Sequence, residues 1–229
     1  ITPQEKQAIL RAAFEAPTAG NQQLYTILDI TDSALKQTLS ETCDHQPFIA
    51  KAPMVLIFCA DCQKWLDAYE ACGCAPRRPG PGDLLLAMAD ACIAAQNAVT
   101  AAQSLGIGSC YIGDILENCD QHRALLGLRE YVVPAAMLVF GRPAPSQLAR
   151  EKPRRCEGKF LVHENGYRRM QASELRAMLG YKAAARPYEE WLRSFCDFKY
   201  NSGFSREMSR SAAEYLKAFE KGKDDWNGA

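Results

Sequence analysis

Three separated stretches carry side chains that could grip a flat ligand with a polar edge. Pro17-Thr18-Ala19-Gly20-Asn21-Gln22-Gln23 sets three carboxamides in one short turn. Each amide offers two donors and an acceptor, which suits a planar molecule edged with alternating carbonyls and N–H groups; taken alone, the stretch also reads as a plain Asx or glycine turn. Leu105-Gly106-Ile107-Gly108-Ser109-Cys110-Tyr111-Ile112-Gly113-Asp114 carries glycines that permit a backbone to come close to a ligand, or simply a helix C-cap followed by a buried strand. Its spacing is not Gly-x-Gly-x-x-Gly and its order is helix–turn–strand, which disfavours the usual dinucleotide fold. Lys152-Pro153-Arg154-Arg155 lies in a segment, 142–159, with six Lys/Arg against two Glu. An ammonium beside a guanidinium fork binds phosphate well, although in isolation such a run is a solvated basic loop.

Other chemistries are poorly supplied. Cys59-x2-Cys62 followed by Cys72-x-Cys74 has a spacing that could hold zinc, but Cys59 ends an apolar run and is expected to point into the core, so no metal is assigned. The histidines are His45, His122 and His163, with His122 expected on the surface of a charged helix, and no Ser/His/Asp arrangement for hydrolysis can be read.

The elements that must position these groups follow from the apolar pattern. Thr2-Pro3-Gln4-Glu5 forms a capping box that starts a helix through Ile9, Leu10, Ala13 and Phe14, ended by Pro17 and Gly20. Continuous apolar runs at Thr26–Ile30, Met54–Ala60, Cys110–Ile112 and Ala135–Phe140 predict strands covered on both faces. Asp83 to Leu105 predicts the longest helix, capped by Asp83 and stopped by Gly106. Its run of alanines implies close backbone approach to other elements, and Asp90, Gln96, Asn97 and Gln103 speak against a membrane span. Residues 62–82 are expected to form an irregular excursion, given the prolines and glycines of 72–82. From about Ala172 the chain is helical, with Tyr188, Trp191, Phe195 and Phe198 at intervals of three or four.

Composition bounds the partners. Lys+Arg and Asp+Glu both number 27, so no global field draws the chain to nucleic acid or anionic lipid. Ten cysteines, several inside apolar runs, behave as small hydrophobes and point to a reducing cytoplasm. The sequence opens at a helix cap and not at a charged-then-apolar stretch, so neither secretion nor a membrane span is expected.

In order, Ala16–Gln23, Gln46-Pro47-Phe48-Ile49-Ala50-Lys51-Ala52-Pro53, Val55–Asp61, the alanine-rich helix, Leu105–Gly113, Gly141-Arg142-Pro143, Lys152-Pro153-Arg154 and Val162-His163-Glu164-Asn165 resemble the FMN-dependent nitroreductase superfamily, in the branch of the larger oxygen-insensitive bacterial enzymes. The resemblance implies an α+β fold with a central mixed sheet flanked by helices, and a long helix at a homodimer interface with both flavins there. It implies an FMN-binding domain over 1–168 and a helical extension over 169–229. Thr18, Gly20, Asn21 and Gln23 would lie along the flavin ring and ribityl chain, and Gln46 would bond its pyrimidine edge. The stretch Tyr111, Ile112, Gly113 and Asp114 would bring backbone N–H groups to a ring carbonyl and N5, and Lys152 and Arg154 would take the phosphate. No catalytic side chain is implied: the cofactor carries hydride from NADH or NADPH to a small acceptor such as a nitroaromatic or quinone, helped by the backbone of Gly113 and Asp114. Family members open with an Arg-x-Ser-x-Arg-x-Phe segment, and the sequence here begins after that point. Either a preceding stretch exists, or the protein binds flavin with half of the phosphate site missing, a loss that Arg155 would have to offset. Reductive dehalogenation on the same fold, flavin binding without turnover and zinc-stabilised structure are the competing expectations.

Overall fold

The computed structural model describes residues 1–222. Four strands, β1 (Tyr25–Asp29), β2 (Met54–Asp61), β3 (Gly108–Ile112) and β4 (Val132–Gly141), form one sheet in the order β1-β2-β4-β3. All three pairings are antiparallel, with Ile27 opposite Phe58, Val55 opposite Val139 and Tyr111 opposite Leu138. The α+β architecture with helices on both faces is the one the resemblance implied, and among the described residues its sheet is antiparallel throughout rather than mixed.

The central strands explain their continuous apolar runs. Leu56 and Phe58 of β2, with Leu138 and Phe140 of β4, face α1 (Pro3–Phe14) and α5 (Pro81–Ser104). Val55, Ile57 and Cys59, with Met137 and Val139, face the opposite layer built on Leu39, Cys43, Ile49 and Ile115. That layer comes from α2 (Ser33–Thr42), α3 (Pro47–Lys51) and the 3-10 turn Gly113–Leu116. Only β2 and β4 are covered on both faces; β1 is half-buried and β3 exposes Ser109, Cys110 and Tyr111, because each lies at a sheet edge. β4 runs farther back than the predicted start at Ala135. Pro134 sits opposite Cys59 beside a register shift between Phe58 and Cys59, the bulge expected where proline cannot donate to the ladder.

In α5, Ala87, Ala91, Ala94, Ala95, Ala98 and Ala102 are fully buried, and the side chain of Asn97 donates to the Ala12 carbonyl of α1 at 3.3 Å. The helix begins at Gly80 and Pro81, with Asp83 reaching back to accept from the Gly80 N–H at 2.7 Å, so Asp83 stabilises the first turn without being the cap residue. By length and composition alone α5 could cross a membrane, but here its alanines pack on the sheet. The expected excursion over 62–82 contains a helix, α4 (Gln63–Ala71), whose Trp65, Leu66 and Tyr69 fall at helical spacing.

The chain divides into two compact units, Ile1–Pro145 joined by the segment from Glu207 onward, and Ser146–Arg206. This differs from the expected boundary at 168. In the first unit α6 (Cys119–Leu126) and the Glu207–Glu220 part of α10 (Gly203–Glu220) complete the core, with Tyr215, Ala218 and Phe219 packed against Tyr131, Val133, Leu84 and Cys119. The second unit holds most of α7 (Pro145–Leu148), with α8 (Ala172–Leu179) and α9 (Tyr188–Lys199). Within α9, Trp191 is buried and stacks on Phe195 at 5.2 Å.

Candidate functional site

The carboxamide turn is a strained bend held from below. After α1 the chain passes through a 3-10 turn, Ala19–Asn21, with Gly20, Asn21 and Gln23 at φ of 56°, 57° and 50°. Left-handed backbone is routine for glycine and tolerable for asparagine, and unusual for glutamine. The conformation persists because Asp90, buried on α5, accepts from the N–H groups of Ala19 at 2.9 Å and Leu24 at 3.2 Å, and from the Thr18 hydroxyl. That hydroxyl also accepts from the Gln23 N–H at 2.8 Å. Thr18 is thus turned inward and fixes the turn, while Gly20, Asn21 and Gln23 are exposed. Gln22 and Leu24 also border a cavity of about 350 Å³ whose walls include Trp65, Tyr69 and the Arg77–Asp83 ion pair.

The glycine bend and Gln46 converge. Gln46 caps α3; its N–H donates to the Ser40 carbonyl at 2.8 Å, and its side-chain amide donates to the Cys43 carbonyl at 2.8 Å and to the Asp114 carboxylate at 3.2 Å. Asp114 lies in the 3-10 turn that follows β3. The first N–H groups of such a turn have no partner within it. Gly113, beside it, is exposed, and a Cβ built there would meet nothing within 4 Å. Tyr111 stands at the β3 edge, its hydroxyl 3.3 Å from the side-chain oxygen of Gln96 on α5. Asp90 and Gln96 are six residues apart, about 9 Å along the helix axis, so one helix anchors both the carboxamide turn and the glycine bend.

Beneath the bend lies a layer of ionisable groups. Glu117 is buried, its N–H donates to the Asp114 carbonyl at 3.0 Å, and its Oε1 has no hydrogen-bond partner. Burial, reinforced by the negative charges of Asp114, Asp44 and Glu207, pushes its carboxyl up to about 7. Glu207 is held down to about 2, chiefly by hydrogen bonds from Arg210 and Ser211. His122 is fully buried and not on the surface. Its Nδ1 lies 3.0 Å from the Ile115 carbonyl, which can only accept, so the proton sits on Nδ1 and Nε2 accepts from the Thr42 hydroxyl at 2.9 Å. Burial pulls its pKa below the ordinary value, which keeps the ring neutral.

The basic residues belong to the second unit. Lys152, Arg154 and Arg155 are exposed on an irregular segment, and the Arg154 guanidinium lies 5.0 Å over the Tyr181 ring. Among the cysteines, Cys59 and Cys62 are buried, with thiols that burial pushes up to about 12, whereas Cys72 and Cys74 are exposed beyond α4.

Asp90 and Glu117 are the residues that sequence reasoning missed. Asp90 counted only against a membrane span, and Glu117 carried no motif; both acquire their roles from partners distant in sequence.

A family model described as the nitroreductase family matches residues 1–142. An oxygen-insensitive NADPH nitroreductase of Salmonella typhimurium is 35% identical over 168 residues, spanning 73% of this chain and 67% of that protein. An FMN reductase [NAD(P)H] of Bacillus subtilis is 30% identical over 219 residues, spanning 95% of this chain and 84% of that one. Among solved structures, the nitroreductase NfrA1 of B. subtilis superposes with a TM-score of 0.79 at 25% identity, covering 95% of this chain and 90% of that one.

Proposed function

The chain belongs to the nitroreductase family, and on that premise we propose that it is an FMN-dependent oxidoreductase moving hydride from NADH or NADPH to nitroaromatics, quinones or similar small acceptors. When bound, FMN supplies a ring that takes up hydride and passes it on, and the protein contributes orientation and electrostatics.

The residues present fit that group. Gln46 has its amide N–H groups fixed on Cys43 and Asp114, and among the described residues its side-chain oxygen is in no hydrogen bond. It can therefore accept from the pyrimidine edge of the ring. Gly113 leaves open the space a side chain would fill, so the backbone N–H groups of Ile112, Gly113 and Asp114 can approach a ring carbonyl and N5. Donors aimed at those positions favour the negative charge that reduction brings. Asn21 and Gln23, exposed on the turn that Thr18 and Asp90 fix, would lie along the ring and ribityl chain, with Gly20 leaving room for close approach and Tyr111 beside them. Within the second unit, stacking on Tyr181 leaves the edge of the Arg154 fork open, and with the exposed Lys152 it has the chemistry to take a phosphate. No side chain of this set has to act as acid or base in the hydride step.

The Gln46–Asp114 contact carries the reading, because it joins a carboxamide at the start of α3 to the open glycine bend after β3. Two copies of the chain form the working unit, supported by an exposed apolar stripe on α5. Its place is the cytoplasm, supported by cysteines 43, 59, 62 and 119 serving as buried apolar side chains. Purified protein is expected to be yellow, to bleach when NADH or NADPH is added without oxygen, and to recolour with a nitroaromatic or a quinone. Protein that takes up no FMN on incubation overturns the reading; bound FMN that neither nucleotide reduces overturns the turnover.

A further inference from the structure

Glu117 has no part in the chemistry proposed above, yet it lies three residues from Asp114 and is bonded to that residue's carbonyl. The residue is 7% exposed, and its Oε1 is buried without a donor. A buried ionised carboxylate in that position is costly unless it is paired and hydrogen-bonded, whereas a neutral acid tolerates it. Among the described residues the charges that act on it are all negative, and the nearby cation of α6, Arg123, keeps its guanidinium 4.7 Å over the Tyr215 ring. Asp114 on the same turn, Asp44 between α2 and α3, and Glu207 on α10 are all acidic. On α6, His122 has both ring nitrogens spent on Ile115 and Thr42. Arg210 is committed to Glu207 and Asp120.

We propose that Glu117 is a positioning residue that holds a proton beside Asp114, so that Gln46 binds a single negative charge there, and that its ionisation loosens the Gln46–Asp114 contact and the FMN seat. The inference rests on the reading that Gln46 and Asp114 line that seat. The step is a proton exchange with water and needs no other reactant. Because burial raises the folded pKa toward 7, the proton-held form stabilises the fold fully below the unfolded value of 4.5, and this contribution is lost as pH rises through about 7.

The test is FMN binding, followed by quenching of flavin fluorescence, over the pH range on both sides of that midpoint. In the parent protein Kd is expected to rise about tenfold by one pH unit above the midpoint. E117Q keeps the shape without the charge, and its profile is expected to be flat apart from the titration of the FMN phosphate, which both proteins share. D44N removes a like charge, and asparagine accepts the left-handed backbone at that position (φ 58°). It should move the midpoint to lower pH, and it serves as the second variant where E117Q folds poorly. Without flavin, the Tm of the apo-protein is expected to fall as pH rises through the midpoint in the parent and not in E117Q. Equal slopes in parent and E117Q, or an unmoved midpoint in D44N, overturn the inference. Q46A separates the two levels. If it binds FMN as tightly as the parent at every pH, the seat is wrongly assigned and the inference falls with it. If Q46A weakens binding while E117Q leaves the slope intact, only the inference falls.

Discussion

At the residue scale, the carboxamide turn depends on one buried acid. Asp90 satisfies two backbone N–H groups and orients Thr18, which in turn receives the Gln23 N–H. Asp90→Ala leaves the Ala19 and Leu24 N–H groups without their acceptor in a half-buried place, and each such loss costs ~1–3 kcal/mol. Urea unfolding of D90A is expected to show a destabilisation of about 2–4 kcal/mol, with D90N intermediate because the amide keeps one acceptor oxygen. A change under about 0.5 kcal/mol would mean that the turn holds itself. The outer residues of the proposed site, Gly20, Asn21, Gln23, Gln46 and Gly113, could be singled out in the sequence by type, since carboxamides carry donors and acceptors and glycine leaves room for close approach. The inner residues could not, because Asp90 and Glu117 acquire meaning only from partners that folding brings to them. His122 was misread from its polar neighbours Gln121 and Arg123, although its spacing of three from Cys119 already put it on the buried side of α6.

At the element scale, α5 shows what its alanines are for. Ala94, Ala95 and Ala98 are fully buried in the layer that α1 and the strands β2 and β4 share, so the helix axis lies close to the sheet. A larger side chain has no room there. Ala98→Leu is expected to cost ~1–3 kcal/mol by overpacking, whereas Thr100→Leu on the exposed side of the same helix is expected to change stability by less than about 0.5 kcal/mol. Thermal unfolding of the two variants checks the contrast, and equal effects would mean the close approach is loose enough to adapt. The long helix and the two central strands were readable because their patterns are long and uninterrupted. The edge strands, the bulge at Pro134 and α4 were harder to place: edge exposure depends on strand order, a bulge on the register opposite it, and a nine-residue helix beside a proline-rich run has little periodicity of its own.

At the scale of the whole molecule, the outer side of α5 is an apolar surface that the described residues leave exposed. Leu85, Ala89, Cys92, Ile93 and Gln96 follow at intervals of three and four, with Leu85 71% and Ile93 40% exposed. Such a stripe extends about 17 Å along the helix, and an apolar face of that length is a frequent mark of association. Its far end is Gln96, the residue that receives the Tyr111 hydroxyl, so the stripe and the glycine bend share an edge. A second copy seated on α5 would then close over the flavin seat, and association and FMN retention should fail together. L85E combined with I93E places charges on the exposed stripe without touching the buried alanines. Sedimentation velocity is expected to move from about twice the 25.4 kDa chain mass to that of a single chain, with unfolding of the single chain little changed and bound FMN lost. A variant that stays paired would locate the interface elsewhere. A single-chain variant that still holds FMN with the parent's affinity would show that one copy completes the seat unaided.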